Sequence, residues 1–439
     1  MSVKKQIYKP KPISGFPEWL PEFRIVEQRW MDHIRRVFES YGYCSIETPA
    51  VEEIDVLTAK GEVDKEIYAL SRLQADPEDD KESRLALHFD QTVPLARYVA
   101  LHFNDLVFPF KRYQMQKVWR GERPQLGRMR EFYQCDIDVI GVDGLPLSFD
   151  AEMPAVMYEV LDGLQIGRIQ LRINNRKILI GLLNSMDVTD EEAVIQVTRA
   201  VDKLEKIGKD EVAKLLKEQS LNDSSIKKIL DLTKVSGRGD AVRSITAENE
   251  MMAEGIEELA FVMDNLSHLP EHGAIADLSI VRGLDYYTGT VYETRLLDIP
   301  QFTGSVCSGG RYDDLAGSYI PRHLPGVGIS IGLSRLFDVL KQSGHIKPGP
   351  KSPADILMML PSEEKRALAS DTARILRGRG LNVEMYHAPQ KISKQLAYAE
   401  KKGISYVWFP PFEDDRPHEV KDLVKGTQTE ADPASWEKN

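Results

Sequence analysis

The run from Arg282 to Glu293, RGLDYYTGTVYE, joins a fixed cation to two adjacent tyrosines and two glycines in a short extended stretch. Between 285 and 292, Tyr286, Thr288, Thr290 and Tyr292 alternate with Asp285, Tyr287, Gly289 and Val291, the period-2 pattern of a strand. Gly289 is expected to leave room for a ligand. A second polar stretch, KRYQMQKVWRGERPQLGRMREFYQCDIDVIG, carries Arg120 and Glu122 at the end of one expected strand and Arg123, Arg128 and Arg130 in or after a turn. Guanidinium groups bind phosphate oxygens bidentately, so this cluster suits a polyphosphate. In the return strand Gln134, Asp136 and Asp138 share one face, opposite Tyr133, Cys135, Ile137 and Val139. Gln134 and Asp138 stand roughly 13 Å apart at strand spacing, enough to contact opposite ends of a small molecule. A charged sheet edge facing solvent would show the same alternation.

Three shorter motifs are weaker alone. GVGISIGLSRLFDVL places Gly328 and Gly332 before Arg335 at the start of an expected helix, where glycines permit close backbone approach. LHFDQTVPLARYVA offers Asp90 and Thr92 just before another helix; Thr92 is either an N-cap or a ligand group, and Asp90 either a turn residue or a binding carboxylate. Gly309-Gly310-Arg311-Tyr312-Asp313 reads by itself as a turn.

The elements that must position these groups follow from periodicity. Ile34, Val37, Phe38 and Tyr41 recur at helical spacing and Gly42 suits a C-terminal cap, which predicts a helix over about 21–41. YCSIETPAVE continues as an extended segment that should end, or lie at a sheet edge, at Pro49. Residues 71–84 read as a charged loop. Strands at 112–120 and 131–140 make a hairpin. From 172 to 268 the pattern turns helical, as in ILIGLLNSM and IEELAFVMDNL, and suggests a helical insertion within a sheet domain covering 1–340. The prolines and glycines of 341–353 form a linker. Residues 354–439 alternate strand and helix, predicting a small α/β domain with a mainly parallel sheet.

Composition narrows the class. A chain of 439 residues, 42% hydrophobic and 28% charged, is a multi-domain globular protein with no apolar run near the length of a membrane helix. The N-terminus lacks an apolar core, so no secretory signal is expected and the cytoplasm is the default location. Cys44, Cys135 and Cys307 form no metal-binding pair and are expected to be buried reduced thiols; no metal-ligand spacing is assigned. With a net charge of -11, any nucleic acid contact must be local.

These motifs, in this order over essentially the whole chain, resemble those of histidyl-tRNA synthetases. KVWRGERPQLGRMREFYQCD looks like the second class II synthetase signature and GVGISIGLSRL the third, while RGLDYY and GGRYD resemble the two histidine-specific motifs. The resemblance implies an α+β fold, with an antiparallel catalytic sheet and flanking helices, a helical insertion and a C-terminal α/β domain that reads the anticodon. It implies ATP, carried with Mg2+, as a substrate beside L-histidine and tRNA(His), and a homodimer joined through the first helix, strand and Pro49. Arg120 and Arg282 would be catalytic at the α-phosphate; Arg120, Glu122, Arg128 and Arg335 would bind ATP. Asp90, Thr92, Gln134, Asp138, Arg282, Tyr286, Tyr287 and Tyr312 would surround the histidine. Ser334 stands where the family usually has an acidic residue, Gln91 where many relatives have an apolar one, and FPPFEDDRPHE replaces a common glycine-bearing turn. A noncatalytic, histidine-binding regulatory subunit is the alternative from another class. It would typically lack the catalytic arginine and the last domain.

Overall fold

The computed structural model describes residues 8–58, 67–74, 84–281, 287–314, 316–317, 319–413 and 416–438. The chain packs as two compact units, one made of residues up to Pro17 and 32–346, the other of 18–31 and 347 onward.

The first unit is organised on a nine-stranded sheet. Its centre is six antiparallel strands in the spatial order Phe110–Trp119, Glu131–Ile140, Gly326–Gly332, Cys307–Tyr312, Tyr287–Leu296 and Ile169–Asn175. Cys44–Ser45 adds a parallel edge strand on one side, and Ala274–Asp277 and Ser236–Gly237 complete the other. The alternation in Glu131–Ile140 explains its central place. Cys135, Ile137 and Val139 are fully buried, while Gln134, Asp136 and Asp138 form the other face. Helices cover the apolar surfaces: Ser148–Gly163 packs on Gly326–Gly332 and Ile169–Asn175, and Leu333–Gln342 packs on Glu131–Ile140.

Several local expectations change. The first helix spans Pro21–Ser40, and Gly42 follows it in the left-handed conformation that glycine favours. The expected single strand after it is two short ones, Cys44–Ser45 and Val51–Glu53, with Pro49 between them. Residues 172–175 complete a strand; helices begin at Arg176, and six of them run from there to Asn265. Cys44 is exposed, contrary to expectation, whereas Cys135 and Cys307 are buried. Most of the 71–84 loop, residues 75–83, lies outside the described residues.

The second unit holds a five-stranded sheet ordered Val383–Met385, Ile356–Met358, Tyr406–Phe409, Glu419–Asp422 and Thr427–Glu430. Its first three strands are parallel, as expected, but the last two are antiparallel, so the sheet is mixed. Fully buried Trp408, set edge-on to Trp436, is the largest side chain of its core.

Candidate active site

Strand register builds the floor of a cleft of about 470 Å3 in the first unit. Three rows cross the sheet. One contains Arg112, Asp138, Gly328 and Gly310; the next Gln114, Asp136, Ser330, Ser308 and Glu293; the third Gln116, Gln134 and Gly332. Polar residues of one strand therefore meet glycine or serine on the next, which leaves open volume above the sheet. The glycines are needed. A methyl group at Gly328 would collide with the Asp138 carboxylate, and one at Gly310 would lie 2.9 Å from the Tyr287 ring.

One end of the cleft is cationic. Arg120 donates through Nε to the Phe89 carbonyl at 3.0 Å, reaches Gln134 Oε1 at 3.5 Å, and lies 5.2 Å over the Phe132 ring. These contacts hold its planar head in one orientation. The following loop turns back on itself where Arg128 N–H bonds the Gln125 carbonyl at 2.8 Å, with Gly127 in the left-handed region. This sets Arg128 3.5 Å from Glu122, both on the cleft wall. Arg335 enters from the helix Leu333–Gln342 with its guanidinium 5.5 Å from the Phe302 ring centre. Ser334 anchors the start of that helix against the central strand, because its Oγ accepts from the Tyr133 N–H at 2.9 Å.

The other end is acidic and buried. Asp90, rather than Thr92, caps the helix Thr92–Leu101, accepting from the Val93 N–H at 3.1 Å. Gln91 is structural as well, since its amide donates to the carbonyls of Gln116 and Gln134 and so ties the loop to the sheet. Gln134 donates to Ser330 Oγ at 2.7 Å. Asp138 pairs with Arg112 at 2.6 Å and accepts from the Tyr312 hydroxyl at 3.0 Å. Burial pushes the Asp90 carboxyl up to about 6, against the Val93 N–H and the Arg120 charge. Burial likewise pushes Asp136 up to about 7, with Arg112 opposing. It raises Asp138 too, while Arg112 and the Tyr312 hydroxyl pull it back.

Of the residues marked in the sequence, Asp90, Thr92, Arg120, Glu122, Arg128, Gln134, Tyr287 and Arg335 line the main cleft, and Asp138 and Tyr312 line its inner recess with Thr92 and Tyr287. Arg282 and Tyr286 lie outside the described residues. Gly289 makes no room for a ligand, because the Arg311 side chain fills the space beside it at 3.1 Å; Gly309 borders the cleft instead. Arg311 itself is turned away to Asp150, bonded through Nε at 3.0 Å. Sequence reading passed over Arg112, Ser308, Ser330 and Glu293 and gave Asp136 no role. The alternation Arg112, Gln114, Gln116 in the preceding strand was the available signal for a polar row.

An antiparallel sheet bearing paired arginines at one end and a buried acidic recess at the other defines a class II aminoacyl-tRNA synthetase, an enzyme of the ligase class. The sequence profile of the family "Histidyl-tRNA synthetase" matches residues 15–336. The chain is 57% identical over 438 residues to a histidine–tRNA ligase of Thermobifida fusca (strain YX), covering 99% of each. It is 46% identical to one from Micrococcus luteus, covering 97% of this chain and 95% of that one. A crystal structure of histidyl-tRNA synthetase from Nostoc sp. PCC 7120 superposes with a TM-score of 0.87 at 39% identity, over 97% of each chain. The chain belongs to the histidyl-tRNA synthetase family.

Proposed function

We propose that this cleft carries out both halves of histidyl-tRNA formation: L-histidine and ATP give histidyl-adenylate and pyrophosphate, and the histidyl group then passes to the 3′ end of tRNA(His). The observation that carries the reading is the polarity of the cleft, arginines at one end and buried carboxylates at the other, matched to a triphosphate and an ammonium-bearing amino acid. In the first step the histidine carboxylate attacks the α-phosphorus in line. Both reactants are anionic, so the protein contributes positioning and charge stabilisation.

Arg120 has its guanidinium oriented in advance and would meet the α-phosphate, with Arg282 acting on the opposite side of the reacting centre. Glu122, Arg128 and Arg335 would hold the nucleotide and outer phosphates of ATP, which enters as its Mg2+ complex. Asp90, Thr92 and Gln134 would receive the α-ammonium group, and Asp138, Tyr286, Tyr287 and Tyr312 would enclose the imidazole. The domain from 354 onward would bind the anticodon end of tRNA. A two-fold dimer, joined through the first helix and the edge strand, is the assembly we propose, in the cytoplasm. No helix among the described residues is long and apolar enough to cross a membrane.

A solved structure titled as an ATP phosphoribosyltransferase regulatory subunit/histidyl-tRNA synthetase from Bacillus halodurans C shares the fold at 23% identity. The arginines lining the cleft favour the catalytic reading over a regulatory one. Pyrophosphate exchange against all twenty amino acids tests it. Exchange with histidine alone is expected, and none with histidine overturns the reading.

A further inference from the structure

The strand Phe110–Trp119 hands the chain to Arg120, and the edge strand beside it stops short of that end. Cys44–Ser45 pairs with Arg112 and Tyr113, and the Ile46 N–H bonds the Tyr113 carbonyl at 3.0 Å. The outer edge from 115 to 119 lies beyond that pairing. Backbone carbonyl and N–H groups away from water need partners. His88, fully buried, answers two of them. Its ring Nε2 lies 2.7 Å from the Lys117 carbonyl, and its own carbonyl accepts from the Trp119 N–H at 3.0 Å. One residue of a parallel neighbour would bond a strand in the same way, at alternate positions. Here the imidazole takes the place of the main-chain donor, because the His88 N–H is turned to the Ala50 carbonyl at 3.1 Å.

The partner fixes the state of the ring. A carbonyl only accepts, so Nε2 carries the proton and Nδ1 the lone pair. Nδ1 is buried and unbonded among the described residues, and burial lowers the pKa of the ring, which keeps it neutral. A side chain kept only to fill space against the Trp119 ring, 5.6 Å away, would be apolar and would bury no unanswered acceptor. The imidazole is there for its N–H.

That N–H acts one residue away from the cleft. After His88 come Phe89, whose carbonyl holds Arg120 Nε at 3.0 Å, and Asp90, which caps the next helix. Displacing residue 88 moves both. We propose that His88 is a positioning residue for Arg120, registering the loop 88–90 on the end of the strand so that the Phe89 carbonyl meets the guanidinium. This rests on the cleft making histidyl-adenylate with Arg120 at the α-phosphate.

Full-length His88→Phe tests the proposal, since phenylalanine keeps a ring against Trp119 and lacks the donor. The kcat of histidine-dependent pyrophosphate exchange should fall about ten- to a hundredfold, the usual result of misplacing a group at a reacting centre. The ATP KM should stay within about threefold, as Glu122, Arg128 and Arg335 still line the cationic end. His88→Gln should bring kcat back to within about threefold of the unmodified enzyme, because its amide nitrogen reaches the place of Nε2. In an Arg120→Ala background, His88→Phe should cost less than about threefold, a non-additivity that a general loss of stability would not produce. Should His88→Phe fail to fold, His88→Leu takes its place with the same expectations. An unchanged kcat without the donor, no recovery by glutamine, an ATP KM raised about tenfold or more, or additive losses with Arg120→Ala would overturn the role of His88. Failure of the unmodified enzyme to exchange with histidine would instead overturn the reading of the cleft.

Discussion

Arg112 and Asp138 form an ion pair at 2.6 Å in the floor of the cleft, with side chains 0% and 5% exposed. The pair joins neighbouring strands in register, and through Tyr312 it reaches a third. A guanidinium so deeply buried is rare unless it answers fixed negative charge. Asp138, paired with it across the strands, supplies that charge.

Arg112→Ala therefore leaves an uncompensated buried acid. Loss of one partner from a buried pair typically costs about 3–5 kcal/mol. Urea unfolding of the variant should show a loss of that order, with Asp138→Asn in the same background restoring part of it. A loss below about 1 kcal/mol would mean that solvent reaches the pair.

Gly328→Ala tests the floor from the opposite strand. Its methyl group would collide with the Asp138 carboxylate, which packing against Arg112 and Tyr312 keeps from moving aside. The expected result is a folded protein whose histidine KM rises about tenfold or more while ATP binding is little changed. Parallel kinetics for the two substrates decide it.

The hairpin of Phe110–Trp119 with Glu131–Ile140 and the helix carrying Arg335 were legible because their polar and apolar residues alternate at the element's own period. Thr427–Glu430 was not legible, since all four residues are exposed and leave no alternation to read. Within the site, residue types were readable and relationships were not. Asp136 lay on a face recognised as polar, but its difference from Asp138 depends on where Arg112 and Gln114 point across the sheet. Gly289 misled for the same reason. The side chain filling its space, Arg311, is remote in sequence and adjacent only in the folded sheet.

Arg120→Ala should leave the fold intact and reduce histidine-dependent pyrophosphate exchange by about 10²–10³, the usual effect of losing a preorganised charge at a reacting centre. Arg120→Lys should recover little. A lysine cannot make the Nε bond to the Phe89 carbonyl while also presenting a flat two-pronged donor. Recovery to within about threefold by lysine would show that charge alone suffices.

Asp90→Asn separates folding from binding through pH. The carboxyl of Asp90 is raised from 3.8 to about 6 by burial, so the native state holds this proton more tightly than the unfolded chain does. Stability contributed by the protonated form is full below about pH 4, falls as pH rises between 4 and 6, and stays lower above that range. The whole displacement is worth about 3 kcal/mol. Asparagine caps a helix as well as aspartate and carries no charge to bury, so the Val93 bond survives. Relative to the unmodified protein, Asp90→Asn should be near equal in stability at pH 4 and more stable by about 2–3 kcal/mol at pH 8, measured without substrates. Its histidine KM should rise at the same time, because the ammonium group loses its carboxylate. A variant less stable than the parent at pH 8 would mean that the negative charge of Asp90 is already compensated within the free protein.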